Sequence, residues 1–230
     1  MKNNTNNDIT ILFLTINKVP KLWAEYQLEV LKKAIGDAAV ISVSSVPMDF
    51  GVNIIQREEP STANIYWQIL RAAKLAKTPY VAIAEDDVLY CYEHFNSYRP
   101  PLDTFAYNSV RWQLHTFDTP MFYWRKRLSN YSLIAPRELL IETLEERFSK
   151  YPYPDERGGA GEVGKSRVEK NLKLTQRNMI EFSTTVGIVC LHHKFGIDPL
   201  ERSGRKRRGM IRALEIPTWG KAEDVIKKFI

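Results

Sequence analysis

Apolar and polar positions along the first ninety residues follow two alternating periods. Ile9–Thr15 is rich in branched and aromatic residues and predicts a buried first strand. Pro20 suits a first helical turn, after which Trp23, Tyr26, Val30 and Ala34 recur on one face until Gly36. Ala38–Val46 predicts a second strand, Pro47 to Gly51 a turn, and Asn53–Arg57 a short third strand. Ser61 is a candidate cap for a second helix, with Ile65, Ile69, Ala72 and Ala76 as its apolar face. Thr78-Pro79 ends that helix. Tyr80-Val-Ala-Ile-Ala84 follows, apolar at nearly every position, as expected of a strand covered on both faces. Strand, helix, strand, strand, helix, strand is the order of an α/β sheet with mostly parallel strands.

Beyond Tyr90 the pattern changes. Pro100-Pro101 interrupts the chain, and Phe105–Leu114 and Met121–Arg125 read as short strands rich in aromatics. Pro136–Phe148 predicts an amphipathic helix with proline at its start. Residues 155–170 hold four glycines and many charges without apolar periodicity, and predict a mobile loop. Glu181–Leu191 predicts a strand that ends in His192-His193. Trp219–Ile230 predicts a closing amphipathic helix with Thr218 as its cap. A polar leader over residues 1–7 and one domain over 8–230 are expected, the latter divided into a half at 8–95 and a second, α+β half at 96–230.

The chemistry is concentrated where the fourth predicted strand ends, in Glu85-Asp86-Asp87. Three neighbouring acids repel one another and lose solvation, so a buried cluster calls for a cation or a basic partner. In open α/β folds the carboxyl ends of strands are where ligands bind. Thr15, Asn17 and Arg57 stand at the ends of other predicted strands. No P-loop, no glycine-rich dinucleotide fingerprint and no nucleophile elbow occurs, which removes the enzyme classes built on them. A hard cation such as Mg²⁺ or Mn²⁺ takes one or two carboxylates and completes its shell with the ligand's phosphates. The alternative is a turn whose acids face water.

Composition adds little that is specific. The chain of 230 residues carries a net charge of +6, mildly favouring polyanionic partners, and its two cysteines, Cys91 and Cys190, show no metal or redox spacing. No apolar run is long enough for a membrane span and residues 1–7 do not resemble a signal peptide, so a cytoplasmic location is expected, that of the host if the chain is phage-encoded. The segment Arg111–Arg127 interleaves aromatics with cations, and Arg202–Arg208 holds five cations. Both are candidate nucleic-acid surfaces; their other readings are core aromatics and a solvated turn.

With the elements up to Tyr90 in place, the chain resembles glycosyltransferases of the A-type fold (GT-A), in particular those like family 2. The resemblance covers about residues 8–95 and rests on Ile9–Asn17, Arg57, the helix from Ser61, and Glu85-Asp86-Asp87 in the place of a D-x-D signature. It implies a single GT-A-like, Rossmann-like domain with an acceptor-side second half, and a metal-dependent hexosyltransferase using a nucleotide sugar, UDP-linked in the first instance. Thr15 and Asn17 would lie near the base, Arg57 and Asn64 would line the donor pocket, and Asp86 would face ribose or metal. Asp87 would bind the metal. Glu85 departs from the usual signature and its part is open. A late histidine often completes the metal site in that family; His192 and His193 compete for it because strand neighbours point to opposite faces, and His193 is preferred. Asp155, Glu156 and Glu162 are the candidates for the catalytic base of an inverting transferase. The favoured acceptor is a hydroxymethylated pyrimidine in DNA, as for phage enzymes of this kind, with a surface or capsular glycan as the alternative. A metal-dependent nuclease or a plain nucleic-acid-binding protein is the rival from another class. Oligomeric state is left open.

Overall fold

The computed structural model describes residues 7–124, 126–153, 161–195 and 211–230. Its first half is built as the periodicity predicts: β1 (Ile9–Leu14), α1 (Lys21–Ile35), β2 (Ala39–Ser44), β3 (Val52–Ile55), α2 (Thr62–Leu75) and β4 (Tyr80–Glu85). β1 pairs in parallel with β2 on one side and β4 on the other, and β3 adds in parallel outside β2. The chain therefore winds away from β1 in one direction, then returns to start β4 on its other flank. That reversal opens a crevice between the carboxyl ends of β1 and β4.

Both strands are buried on their two faces. Ile9, Ile11 and Phe13 of β1 and Ala82 and Ala84 of β4 pack towards Leu31, Ala34 and Ile35 of α1. Leu12, Leu14, Val81 and Ile83 pack towards Tyr66, Ile69, Leu70 and Ala73 of α2. The Ser61 hydroxyl caps α2 by accepting the Asn64 N–H at 3.0 Å. Pro20 stands just before α1 rather than in its first turn, and Gly36 ends the helix at φ 59°.

The second half completes this sheet and builds another. After β5 (Val88–Leu89) and the short α3 (Tyr92–Asn96) come β6 (Thr104–Asn108), β7 (Arg111–His115), β8 (Phe122–Trp124) and β9 (Leu133–Pro136). Then follow α4 (Arg137–Lys150), α5 (Ser166–Asn171), β10 (Asn178–Phe182), β11 (Ile188–His192) and β12 (Ile211–Ala213). A small hairpin of β13 (Glu215–Ile216) and β14 (Gly220–Lys221) precedes α6 (Ala222–Lys227). The large sheet runs β10-β6-β9-β4-β1-β2-β3, with β9 antiparallel to its neighbours, and the smaller runs β12-β8-β7-β11-β5. This is the expected α/β class with a mostly parallel central sheet flanked by helices. No described helix is long and apolar enough to cross a membrane.

Four local expectations are corrected. The predicted strand Phe105–Leu114 is two strands in different sheets, and Glu181–Leu191 likewise divides between β10 and β11. Both crossings occur side by side, because β6 pairs with β10 and β7 with β11, each pair in parallel. Asn108 makes the first break. Its Oδ1 accepts the Val110 N–H at 2.9 Å, and its Nδ2 donates to Thr184 Oγ1 at 3.0 Å. An apolar run cannot reveal a change of sheet, since both sheets bury it.

The expected loop at 155–170 contains α5, organised by a buried Glu169 that accepts the Gly164 and Arg177 N–H groups, each at 2.9 Å; residues 154–160 lie outside the described ones. The last helix begins at Ala222 rather than Trp219, and without Thr218 as cap, because residues 220–221 pair in β14.

Asn108→Ala should remove the brace that splits β6 from β7 and leave its buried partners unsatisfied. A loss of about 1–3 kcal/mol in unfolding free energy is expected from chemical denaturation; an unchanged midpoint and slope would show that the break does not depend on this side chain.

Candidate functional site

Glu85, Asp86 and Asp87 occupy the turn by which the chain leaves the large sheet through β4 and enters the small one through β5. Five hydrogen bonds fix the backbone of that turn. Trp23 Nε1 of α1 donates to the Asp86 carbonyl at 2.8 Å, and Gln27 Nε2 reaches the carbonyls of Glu85 and Val88 at 3.3 and 3.1 Å. The Leu191 N–H of β11 donates to the Asp87 carbonyl at 2.8 Å, and the Glu85 N–H donates to the Tyr90 hydroxyl at 3.1 Å. Trp23 and Gln27 lie one helical turn apart, so one face of α1 holds the acids while its neighbouring positions pack in the core.

The side chains line a cavity of about 350 Å³ between the two sheets. Thr15, at the end of β1, donates its hydroxyl to Asp86. Asp87 Oδ2 faces His193 Nε2 at 3.6 Å, while Asp87 Oδ1 is buried with no hydrogen-bond partner. Burial, and then the charges of Asp87 and Asp86, push the Glu85 carboxyl well above its usual range. Burial and Asp87 push Asp86 up to about 7, against the opposing hydrogen bond from Thr15 and the charge of His193. The cluster therefore has the electrostatic need identified from sequence. An orphaned carboxylate oxygen beside two carboxyls raised by mutual repulsion fits a hard divalent cation whose remaining ligands come from a phosphorylated substrate. Among the described residues, no group of three or more His, Cys, Asp and Glu side chains is arranged to hold a metal by itself.

Both histidines line the cavity, against the expectation that only one faces it. Alternation holds only within the strand. β11 ends at His192, and His193 begins the turn that follows. His193 Nδ1 accepts the Phe195 N–H at 3.1 Å, so the ring proton sits on Nε2 and points at Asp87. In this arrangement His193 orients the carboxylate, and it would have to give up the Phe195 contact to offer Nε2 to a metal.

The other residues singled out from sequence divide. Glu162 lines the cavity and is paired with Lys165 at 3.3 Å. Asp155 and Glu156 lie outside the described residues. Asn17 borders a smaller hollow of about 250 Å³ that shares Thr15 and Asp86 with the main cavity, and its Oδ1 accepts the Ser45 N–H at 2.8 Å. Arg57 is exposed and is not among the cavity-lining residues. Asn64 is buried and also stays off the cavity wall, donating instead to the carbonyls of Glu58 and Glu59 at 3.5 and 3.3 Å. Its place in the cavity wall is taken by Thr62 and Tyr66 of α2.

Sequence reading passed over Trp23, Gln27, Lys18 and Tyr66, and took Arg111 only as part of an aromatic–basic surface. Only part of that segment is at the surface: Phe122 and Tyr123 are buried and Arg111 is 2% exposed, while Trp112 and Trp124 are half-buried and Phe117, Lys126 and Arg127 are exposed. Arg111, Gln113, Cys190 and His192 instead share the face of the small sheet that looks into the cavity. Period-two polarity in Arg111-Trp-Gln113 was the available signal. Arg202–Arg208 lies outside the described residues.

No protein-family model matches the chain, and no curated protein matches it. Among solved structures, a mannosyltransferase from Pyrobaculum calidifontis in complex with GDP-Man and Mn2+ is 15% identical with a TM-score of 0.46, over 82% of this chain and 57% of that one. The chain thus spans little more than half that protein's length. A glycosyltransferase involved in glycosylation of the major capsid of PBCV-1 is 14% identical, with a TM-score of 0.46 over 79% and 91% of the two chains. A nucleotidyl transferase from Methanothermobacter gives 12%, 0.44, 78% and 88%. At these scores the likeness is general, and it identifies neither an activity nor a site.

The raised acids make stability depend on pH. Asp86 has a folded value of about 7 against an ordinary 3.8, so it favours the fold fully below pH 3.8 and that contribution is lost as pH rises through 7. Thermal unfolding of the metal-free protein should show stability falling by a few kcal/mol, to order of magnitude, across that window. Asp86→Asn should flatten the slope. A slope unchanged in the variant would place the titration elsewhere.

Proposed function

We propose that the protein is a metal-dependent glycosyltransferase of GT-A type that moves a sugar from a nucleotide donor to a hydroxyl group. The observation that carries this reading is the buried, partnerless Asp87 Oδ1 in a cluster of acids at the crevice between β1 and β4. That crevice is where an open α/β sheet places a ligand, and the acids are what a metal-bound diphosphate needs there.

Asp87, with Asp86 beside it, would hold Mn²⁺ or Mg²⁺. The metal would supply positive charge to the diphosphate leaving group. Within the chain, Thr15 orients Asp86, which leaves that carboxyl a second oxygen for ribose or metal, and His193 orients Asp87. Trp23 and Gln27 fix the turn so that neither acid has to reorganise on binding. The base would sit on the side of Thr15 and Asn17, where the smaller hollow adjoins the acids. Lys18 stands at the rim as a further cation for phosphate.

For an inverting transfer, Glu162 is the candidate base among the described residues. It would take the proton of the acceptor hydroxyl while the new C–O bond forms at the anomeric carbon. The bond to the diphosphate breaks in the same step, and its electron pair leaves with the phosphate oxygen. The donor nucleotide is proposed to be UDP. A hydroxymethylated pyrimidine in DNA stays a proposed acceptor chiefly on the net charge of +6, since Phe122 and Tyr123, two of the aromatics expected to stack bases, are buried. Nucleoside mass spectrometry after incubation with UDP-glucose and hydroxymethylated DNA tests it; no added mass returns a glycan acceptor to first place. The nuclease reading is weaker, because two-metal hydrolysis draws acids from several elements and these come from one turn.

Calorimetric titration with UDP should show binding in Mn²⁺ and at least tenfold weaker binding in EDTA. Asp87→Asn should remove the metal effect while raising or preserving thermal stability, since a repelling charge is lost. Binding of UDP that is indifferent to every divalent metal would sink the metal assignment. Glu162→Gln should lower kcat by about 10²–10⁴-fold with donor KM little changed; a wild-type kcat removes Glu162 from the proton transfer.

A further inference from the structure

Arg111 presents a charge that the acidic turn does not account for. Its guanidinium is 2% exposed at the start of β7 and lines the cavity. Nε donates to the Arg127 carbonyl, Nη1 donates to the Tyr131 hydroxyl, and the group lies over the Tyr131 ring at 5.3 Å. These partners among the described residues are all neutral. Nη2 is buried and has none. Burying a cation against neutral groups is costly, and an unfilled N–H on it adds to the cost.

Gln113 lies two residues further along the same face of β7, about 7 Å away. It is also 2% exposed, and its Oε1 is buried without a partner. Arg111 Nη2 can only donate and Gln113 Oε1 can only accept. A ligand that satisfies both carries an anionic acceptor next to a hydroxyl donor. Cys190, on the adjoining strand β11, lies within electrostatic reach of both the acids and Arg111. After burial, the charges of Asp87 and Glu85 raise its thiol while Arg111 opposes them.

We propose that Arg111 and Gln113 form a second subsite, distinct from the acidic turn, that binds an acidic sugar by its carboxylate and a neighbouring hydroxyl. Arg111 meets the carboxylate and Gln113 the hydroxyl, so the class of ligand is a hexuronic acid or its glycoside. This rests on the transferase reading for its setting, and the ring arrives either as the sugar of the donor or as that of the acceptor. A neutral hexose would leave Arg111 Nη2 facing a hydroxyl and its charge uncompensated, which is the basis of discrimination.

The test is a set of titrations on the wild-type protein with Mn²⁺. UDP-glucuronate against UDP-glucose reads the donor arm. Methyl β-glucuronide against methyl β-glucoside, with UDP present, reads the acceptor arm. The same glycoside pair without nucleotide, followed by ligand-observed NMR, reads the subsite even if UDP does not bind. At least a tenfold preference for the acid is expected in one arm, the scale of one charge-assisted hydrogen bond. Arg111→Met should abolish that preference, and Arg111→Lys should retain part of it, with UDP titrated in parallel to report on the fold and the nucleotide half. Equal affinity for acid and neutral sugar in every arm would overturn the subsite. Failure of UDP alone to bind would overturn the nucleotide reading instead.

Discussion

The constraint on which the rest of this structure turns is the holding of three carboxyl groups together at the end of one buried strand. Left to themselves, Glu85, Asp86 and Asp87 would separate or protonate, and burial with mutual repulsion raises the first two accordingly. The fold prevents separation chiefly by gripping the backbone, with Thr15 on the Asp86 carboxyl and His193 facing that of Asp87. Trp23 and Gln27 of α1 bind carbonyls of the turn, and the Leu191 N–H of β11 binds another. With the main chain fixed, the side chains keep their positions and stay free for a ligand. Tyr90 adds a strut, taking the Glu85 N–H and donating its own hydroxyl to the Tyr131 carbonyl at 3.1 Å.

The same turn joins the two sheets, and this decides what the acids face. β4 ends in the large sheet and β5 begins in the small one beside β11, so the acids and the polar face of the small sheet line the same cavity. The paired crossings of β6 to β7 and β10 to β11 deliver that face as a unit. Arg111 and Gln113 come with one strand, Cys190 and His192 with the other. The cavity is therefore polar in an ordered way, with acids at the sheet ends and a cation on a strand of the small sheet. A ligand bearing both a metal-bound diphosphate and a carboxylate would meet matched charge along its length. Neither end could be served by a single sheet.

The first half of the fold was legible because each element there has one environment. β1 and β4 are covered on both faces, α1 and α2 on one, and such patterns translate directly into periodicity. The acidic turn was legible for the opposite reason: its charges contradict the strand that precedes them. The second half resisted because its strands change sheet in mid-run, at Asn108-Ser109 and over residues 183–187, and short breaks of this kind leave the strand character on either side unchanged. Site residues divided along a similar line. Asp86, Asp87, Thr15 and Glu162 announce themselves by type and place. Arg57 and Asn64 were chosen by position on a predicted strand and helix, yet one faces solvent and the other is used up on the carbonyls of Glu58 and Glu59. Trp23 and Gln27 were invisible in function because on a helix they read only as core and near-core positions.

Backbone clamping also bears on how strongly the acids speak for a ligand. A surface cluster of acids costs little and signals little, since solvent and salt screen it. Here the protein commits a buried tryptophan, a buried glutamine with its own Oε1 unsatisfied, and two strand N–H groups to keep an unfavourable arrangement in place. Sequences that fold well agree with themselves at every level, and departures from that agreement gather at functional sites. Two such departures line one cavity here, one anionic and one cationic. Packing does not explain either: Asp87 Oδ1 is buried with no hydrogen-bond partner, and Arg111 touches only neutral partners. Each would be relieved by a ligand of opposite sign, and both line the same cavity.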